Sequence, residues 1–229
     1  MKIAILQPNY IPWKGVFSLI DKVDIFVFFD DVQYTKKDWR NRNKIKTNNG
    51  DVWLTVPVLT KGVRNQLIKD AKIDSKTNWQ TKHYKAIELA YRKAPYFSDY
   101  KYILDDIYLN STWESLVELN IFSTKLLAKT LGIESKYILS SSLDVNGAKD
   151  GERVVEICNI LKCNYFVNGP ASKSFMNQEI FDRANITLDY IEYNYKEYEQ
   201  LYPPFNHFVS VLDLLFNCGD KARNLILST

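Results

Sequence analysis

The sequence predicts an α/β fold with a parallel-sheet core and a mostly helical insertion. Short apolar runs of strand length alternate with amphipathic stretches of helix length near both ends of the chain, which is typical of βαβ units. Between them, residues 76–131 show helical periodicity throughout. With 229 residues and 46% hydrophobic content, we expect one domain over residues 1–229, in which 76–131 forms an insertion or subdomain.

The first third of the chain predicts a strand, a helix and a second strand. Residues 2–7 and 25–29 are apolar runs of the kind that form buried parallel strands. Residues 13–23 carry apolar side chains at spacings of three and four, which indicates one buried helix face. Residues 52–58 predict a third strand and residues 68–73 a fourth.

The rest of the chain predicts helices first and a return to the α/β pattern afterwards. Within 76–131, Pro95 ends one helix, and Ser111-Thr112-Trp113-Glu114 has the spacing of a capping box for the next. Later strands are predicted at 137–139, 165–167 and 187–190, and later helices at 151–161, 178–184 and 207–217.

Charge is concentrated in one segment. The chain has a formal net charge of +3, and residues 35–46 contain six Lys or Arg against one Asp. The pI is about 8.5, below the value above ~9 that is typical of nucleic-acid-binding domains. We therefore expect an anionic small molecule as the partner, rather than nucleic acid.

Several patterns are absent from the sequence. No apolar run approaches the ~20 residues of a membrane span, and residues 1–7 lack the pattern of a secretory leader. The three cysteines have no metal-site spacing, and the chain contains only two histidines. We expect a cytoplasmic protein with reduced thiols and no histidine-rich metal site.

Two adjacent carboxylates, Asp30 and Asp31, end the second predicted strand and lead into the basic segment 35–46. Three interpretations remain open. Together they hold Mg²⁺ for a nucleotide, or one is a general base for an attacking amine. Otherwise they have a structural role and cap local backbone or pair with Arg40 and Arg42.

The connection after the first strand, residues 7–15, lies where α/β sheets bind ligands. Lys14 is in the first helical turn, where the helix dipole disfavours a cation unless it faces a phosphate or carboxylate; the alternative is a solvated surface lysine. Gly15 costs the helix ~1 kcal/mol relative to Ala, which a close approach of another group to the backbone would offset.

Two further candidates come from later segments. Asn168 and Ser172 follow a predicted strand and either form a second wall of the same site or serve as ordinary turn residues. His207 is a candidate for proton transfer, although a single histidine also suits a structural role.

Four motifs carry a resemblance to a known family. Residues 7–15 (QPNYIPWKG), 30–42 (DDVQYTKKDWRNR), 53–58 (WLTVPV) and 210–217 (SVLDLLFN) resemble the WbqC-like family. Its members occur in bacterial gene clusters for O-antigen and other surface polysaccharides. The resemblance implies modification of a nucleotide-linked or lipid-linked amino sugar.

A more distant similarity links the opening of the chain to nucleotidylyltransferase-like proteins, which include pantothenate synthetase and have a Rossmann-like core. Those enzymes carry a His-x-Gly-His element at the first turn. Here the matching stretch is Trp13-Lys14-Gly15-Val16, so the glycine is present and both histidines are absent. Whether a nucleotide and Mg²⁺ serve as cofactors stays open.

The first functional hypothesis is an enzyme that transfers an acyl or aminoacyl group to the amine of an activated amino sugar. The second is a metal-dependent glycosyltransferase that uses a nucleotide sugar, and the third is a non-catalytic binding module. The predicted catalytic residues are Asp30, Asp31 and Lys14. The predicted substrate-binding residues are Gln7, Tyr10, Trp13, Gln33, Tyr34, Lys37, Trp39, Arg40, Asn41, Arg42, Asn168, Ser172 and His207.

Overall fold

The computed structural model describes residues 1–63, 65–145 and 150–227. The strands are β1 (Lys2–Leu6), β2 (Ile25–Phe28), β3 (Arg42–Thr47), β4 (Gly50–Thr55), β5 (Lys136–Leu139), β6 (Tyr165–Asn168) and β7 (Thr187–Tyr190). The α-helices are α1 (Lys14–Asp21), α2 (Trp79–Tyr91), α3 (Phe97–Leu104), α4 (Leu116–Thr130), α5 (Asp150–Ile160), α6 (Gln178–Arg183), α7 (Val211–Cys218) and α8 (Ala222–Leu227).

A five-stranded parallel sheet in the order β5-β2-β1-β6-β7 confirms the predicted α/β fold. The chain runs outward from β1 through β2 to β5, and then crosses to the other side of β1 for β6 and β7. The strand order therefore reverses between β1 and β6. In open α/β sheets this reversal leaves a crevice beyond the carboxyl ends of the two strands, and ligands bind there.

The sheet is buried on both faces, which explains its uniformly apolar central strands. Ile3, Ile5, Ile25 and Val27 belong to one apolar cluster with residues of α5 and α6. The intervening Ala4, Phe26 and Phe28 belong to the other cluster, which also contains residues of α1, α2, α4 and α7. Side chains alternate between the two faces of a strand, so both faces need apolar residues.

The third and fourth predicted strands are wrong in detail. Residues 50–55 do form a strand, β4, but it pairs with β3 in a separate antiparallel hairpin. Strand β3 lies within the basic segment and was not predicted as a strand, because its residues are mostly charged or polar. Arg42 and Lys44 are partly exposed, while the alternate residues Asn43 and Ile45 are buried. Residues 68–70 form a 3₁₀ turn, and only an isolated bridge joins Ile73 to Val58.

Helix boundaries are the other difference. The helical block is confirmed as α2, α3, a π turn at 105–109 and α4. The predicted capping box at 111–114 is wrong, because Ser115 caps α4 and its side chain accepts the backbone N–H of Glu118 at 3.5 Å. The last predicted helix begins at Val211, so His207 precedes it, and α8 follows it.

No helix in the described parts of the chain combines the length and the apolarity that crossing a membrane requires.

Candidate functional site

A cavity of about 240 Å³ opens beside the loop that follows the carboxyl end of β1. Three of its walls are aromatic: Trp13 precedes α1, Trp39 comes from the basic segment, and Phe208 precedes α7. Pro12 and the amides of Asn9 and Asn43 complete the lining. We call this cavity the aromatic cleft. It combines stacking surfaces with a few polar groups, as binding sites for small organic ligands do.

The Trp13 wall depends on Gly15. A Cβ atom at Gly15 would overlap the Trp13 indole, so only glycine lets the ring fold back over the first turn of α1. The ring then packs edge-on against Tyr193 at 5.0 Å and near Phe208 at 5.9 Å between centroids. The close approach anticipated at Gly15 is therefore made by a neighbouring side chain of the same chain.

Asn43 lines the aromatic cleft and binds the loop after β1 through its side chain. Its Nδ2 donates to the backbone oxygens of Tyr10 (3.1 Å) and Ile11 (2.8 Å), and its side chain is almost fully buried. The backbone N–H of Tyr10 donates to the oxygen of Trp39 at 3.0 Å, which fixes the Trp39 wall to the same loop.

The two arginines of the basic segment differ in their partners. Arg40 pairs with Asp38 and approaches Asn9 Oδ1 at 3.5 Å. The Arg42 guanidinium lies 4.1 Å from the centroid of the Trp53 ring, and that ring packs against Trp39 at 5.4 Å. Among the described residues, Arg42 has no ion pair and its side chain makes no hydrogen bond, so it is free to bind an anion.

Lys14 is not a surface lysine. It is 2% exposed, and its Nζ lies 2.8 Å from His207 Nδ1. The rings of Tyr195, Tyr198 and Phe205 lie 4.7, 5.0 and 5.6 Å from Nζ. Burial lowers the pKa of Lys14 to about 8, and the charge of Asp213 opposes this only in part.

His207 belongs to the same group of residues. Its ring packs edge-on against Phe205 at 4.5 Å between centroids, and the next residue, Phe208, is a wall of the aromatic cleft. Burial lowers the pKa of His207 below its ordinary value, and the neighbouring Lys14 ammonium lowers it further. We call Lys14 and His207 the lysine–histidine pair.

Asp213 lies behind this pair. Its carboxylate accepts hydrogen bonds from the Tyr91 hydroxyl (3.0 Å), the Tyr198 hydroxyl (2.7 Å) and Gln200 Nε2 (2.8 Å). Burial raises the pKa of Asp213, and these three donors act in the opposite direction. Through Tyr198, the carboxylate fixes one of the rings that surround Lys14.

Asp30 and Asp31 are at the opposite side of β1, where β2 and β5 end. Asp30 is 1% exposed and accepts the Ser141 backbone N–H (3.0 Å), the Ser141 hydroxyl (2.6 Å) and the Ser140 hydroxyl (3.0 Å). Asp31 accepts Arg153 Nη2 at 2.5 Å. The acids thus connect the 140–142 turn and α5 to the end of β2.

The structural pairing predicted for the acids is wrong in its partners. Asp31 pairs with Arg153 instead of Arg40 or Arg42, because α5 passes over the end of β2. No contact within the described residues joins Asp30 or Asp31 to Lys14. Direct contacts in the described part of the chain therefore do not bring the two acids together with Lys14.

The other predicted residues fall into three groups. Tyr10, Asn41, Asn168 and Ser172 are buried and hydrogen-bonded within the protein; Tyr10, for example, bonds His83 Nδ1 at 2.8 Å and the Tyr108 hydroxyl at 2.5 Å. Tyr34 is 7% exposed, and burial raises its pKa to about 12. Gln33 and Lys37 are exposed, and Gln7 is half-buried.

Four residues that shape the site were missed by sequence reasoning. Asn9, Asn43 and Phe208 line the aromatic cleft, and Trp53 supports Arg42. Phe208 directly follows a residue that was singled out, and the alternation of β3 would have placed Asn43 on the inner face. Trp53 lies in a motif quoted above, but only the pairing of β3 with β4 brings it to Arg42.

No three histidine, cysteine, aspartate or glutamate side chains come together as metal ligands in the described part of the chain. The acids that were candidates for Mg²⁺ are occupied by serine and arginine donors.

Comparison with known proteins supplies the family. The model of the WbqC-like protein family matches residues 7–225, a span that contains the aromatic cleft and the lysine–histidine pair. The chain is also similar to the uncharacterized protein Rv1507c of Mycobacterium tuberculosis (strain ATCC 25618 / H37Rv), with 40% identity over 226 residues that cover 98% of this chain and 97% of that protein. No solved structure matches. The chain therefore belongs to the WbqC-like protein family.

Proposed function

We propose that this protein transfers an acyl or aminoacyl group to the amino group of a nucleotide-linked or lipid-linked sugar in the assembly of a bacterial surface polysaccharide. One observation carries the proposal. An aromatic cleft lies beside the loop at the carboxyl end of β1, the side on which α/β sheets bind ligands, and its Trp39 wall packs on the Trp53 ring that carries Arg42. Among the described residues, Arg42 has no ion pair and no side-chain hydrogen bond.

The size and lining of the cleft favour a sugar ring. Its volume of about 240 Å³ is below the ~300–1,000 Å³ typical of sites for larger ligands, so it suits a single ring. The faces of Trp13 and Trp39 can pack on the apolar faces of a sugar, while the Asn9 amide offers a donor and an acceptor to its hydroxyls.

Arg42 favours a ligand that carries phosphate. The Arg42 guanidinium lies 4.1 Å from the Trp53 ring centroid, and the N–H groups of a guanidinium lie in one plane, which matches two phosphate oxygens. Because Trp53 and Trp39 connect Arg42 to the cleft, a phosphate there would lie outside the cavity that holds the sugar. Nucleotide-linked and lipid-linked sugars both have this arrangement of ring and phosphate.

The roles predicted for Asp30 and Asp31 stay predictions, and the contacts favour a structural interpretation. Arg153 and the serines of the 140–142 turn occupy the lone pairs that a general base or a metal ligand would use. For the same reason, the second hypothesis of a metal-dependent glycosyltransferase gains no support from the environment of the acids.

The proposal is tested by incubating the protein with nucleotide-linked amino sugars and activated acyl donors, either acyl thioesters or amino acids with ATP. We expect the sugar to gain the mass of the acyl group. The same sugar with its amine already acetylated is the control and should remain unchanged. Absence of a product across the donor panel, or transfer to a hydroxyl of the acetylated control, would contradict amide formation.

Binding provides a test that needs no acyl donor. Trp39→Ala removes one wall of the cleft, so we expect affinity for a nucleotide-linked amino sugar to fall by about 5- to 150-fold, given the ~1–3 kcal/mol of a typical stacked ring. Phe175→Ala is the matched control, because Phe175 is equally aromatic, 71% exposed and not part of the cleft lining. Equal affinities of the two variants would contradict this site.

A further inference from the structure

We propose that Lys14 is a positioning residue, which holds His207 as a neutral imidazole and directs its Nε2–H toward the acyl oxygen of a substrate in the aromatic cleft. The inference rests on the proposed acyl transfer for its chemistry. The protonation state of His207, by contrast, can be measured without a substrate.

The geometry fixes which nitrogen carries the proton. Lys14 Nζ is 2.8 Å from His207 Nδ1, and a protonated lysine can only donate. Nδ1 must then accept, so the single proton of a neutral imidazole is on Nε2. Nε2 has no hydrogen-bond partner among the described residues, and the His207 ring is only partly buried. In this tautomer His207 offers a hydrogen-bond donor at Nε2 and no free base.

The surroundings keep Lys14 charged and His207 neutral at neutral pH. Three aromatic rings face the ammonium, and their negative faces stabilise a cation that lacks an ion pair in the described structure. The other charged or titratable groups acting on Lys14 are Asp213 and Cys218 of α7, and Glu197 acts on His207 from the segment after β7. A second positive charge on the imidazole, beside this ammonium, is disfavoured.

A neutral N–H donor suits the acyl-transfer step. The sugar amine attacks the carbonyl carbon of the acyl donor, the N–C bond forms, and the π electron pair moves onto the carbonyl oxygen. Nε2–H donates to that oxyanion. The electron pair on the oxygen then re-forms the C=O bond, and the bond to the leaving group breaks. The leaving group departs with the electrons of that bond and takes up the proton that the nitrogen releases. Donors of this kind typically contribute ~10²–10³-fold in rate.

Nuclear magnetic resonance of the imidazole nitrogens tests the arrangement directly, since the chain has only two histidines, His83 and His207. At pH 7 we expect His207 as the Nε2–H tautomer. Above a pH of about 8, where Lys14 loses its proton, Nδ1–H should become populated. An Nδ1–H tautomer at pH 7, or an imidazolium, would overturn the inference.

Lys14→Met removes the charge and keeps the length of the side chain. The pKa of His207 should then rise toward its ordinary value of about 6.5, because the effect of the ammonium is gone while that of burial remains, and both tautomers should appear. The His83 signals report whether the core remains folded. If Lys14→Met does not fold, Lys14→Arg keeps a donor and should keep the Nε2–H tautomer. A pKa unchanged in a folded Lys14→Met variant would refute the role of Lys14.

Turnover separates this inference from the proposed function. His207→Gln retains an amide N–H at about the position of Nε2, so we expect it to keep several-fold more activity than His207→Leu. Equal losses in the two variants would refute the donor role while leaving acyl transfer established. Absence of acyl transfer in the wild type would refute the proposed function and leave the tautomer result standing.

Discussion

At the scale of single residues, burial decides what the charged side chains can do. Lys14 and Asp30 are almost equally buried, yet Asp30 is surrounded by hydrogen-bond donors, whereas Lys14 has one imidazole and three aromatic rings. A carboxylate satisfied by hydrogen bonds is a structural element. A buried ammonium that makes no ion pair in the described structure keeps an unfavourable desolvation free energy. A functional role would explain why such a lysine is present.

Asp31→Asn distinguishes the structural interpretation from the predicted catalytic one. Removing the charge breaks the pair with Arg153, whose side chain is 20% exposed, so we expect the free energy of unfolding to fall by about 1–3 kcal/mol. Urea unfolding of the wild type, the single variants Asp31→Asn and Arg153→Met, and the double variant measures the coupling. A variant with unchanged stability and no turnover would contradict the structural interpretation and favour a catalytic role for Asp31.

At the scale of elements, α1 and the β3–β4 hairpin hold the aromatic cleft from opposite sides. The first turn of α1 carries Lys14 and the glycine under Trp13, while β3 places Asn43 inward and Arg42 outward on alternate residues. The backbone N–H of Ser210 donates to the oxygen of Lys44 at 2.9 Å, which attaches the start of α7 to the hairpin. These elements therefore set the separation of the walls.

Gly15→Ala tests the dependence of the Trp13 wall on α1. In most helices this change stabilises by ~1 kcal/mol, but here the new methyl group overlaps the indole, and we expect net destabilisation and a weaker near-ultraviolet signal from Trp13. In a Trp13→Ala background the overlap is gone, so the same substitution should become stabilising. Stabilisation in both backgrounds would show that the ring moves aside freely.

At the scale of the whole molecule, the parallel sheet could be predicted from the sequence. Its central strands are apolar on both faces, and its helices show a clear hydrophobic periodicity. The cleft was harder to predict, since its walls come from positions 13, 39 and 208 and meet only through the sheet order and the packing of the hairpin. Lys14 was correctly singled out as unusual, but its partner His207 is 193 residues away. Local pattern carries no information about such a contact.

Stability as a function of pH reflects the buried histidine of the core. Burial lowers the pKa of His83 to about 4, while its Nδ1 bonds the Tyr10 hydroxyl at 2.8 Å. A histidine whose pKa is lower in the folded protein than in the unfolded one stabilises the fold fully above pH 6.5. That stabilisation is lost as the pH falls toward about 4, the pKa of His83 in the folded protein.

His83→Gln removes this titration and keeps a polar side chain beside Tyr10. Chemical unfolding at several pH values should show that the wild type loses about 3 kcal/mol more than the variant between pH 7 and pH 4. Carboxylates that titrate in the same range act on both proteins and cancel in the difference. His207→Gln is the matched control, and its effect should be smaller because that ring is partly exposed. Parallel curves for wild type and His83→Gln would mean that His83 is protonated in the folded core, and the Tyr10 hydroxyl would then have to be its acceptor.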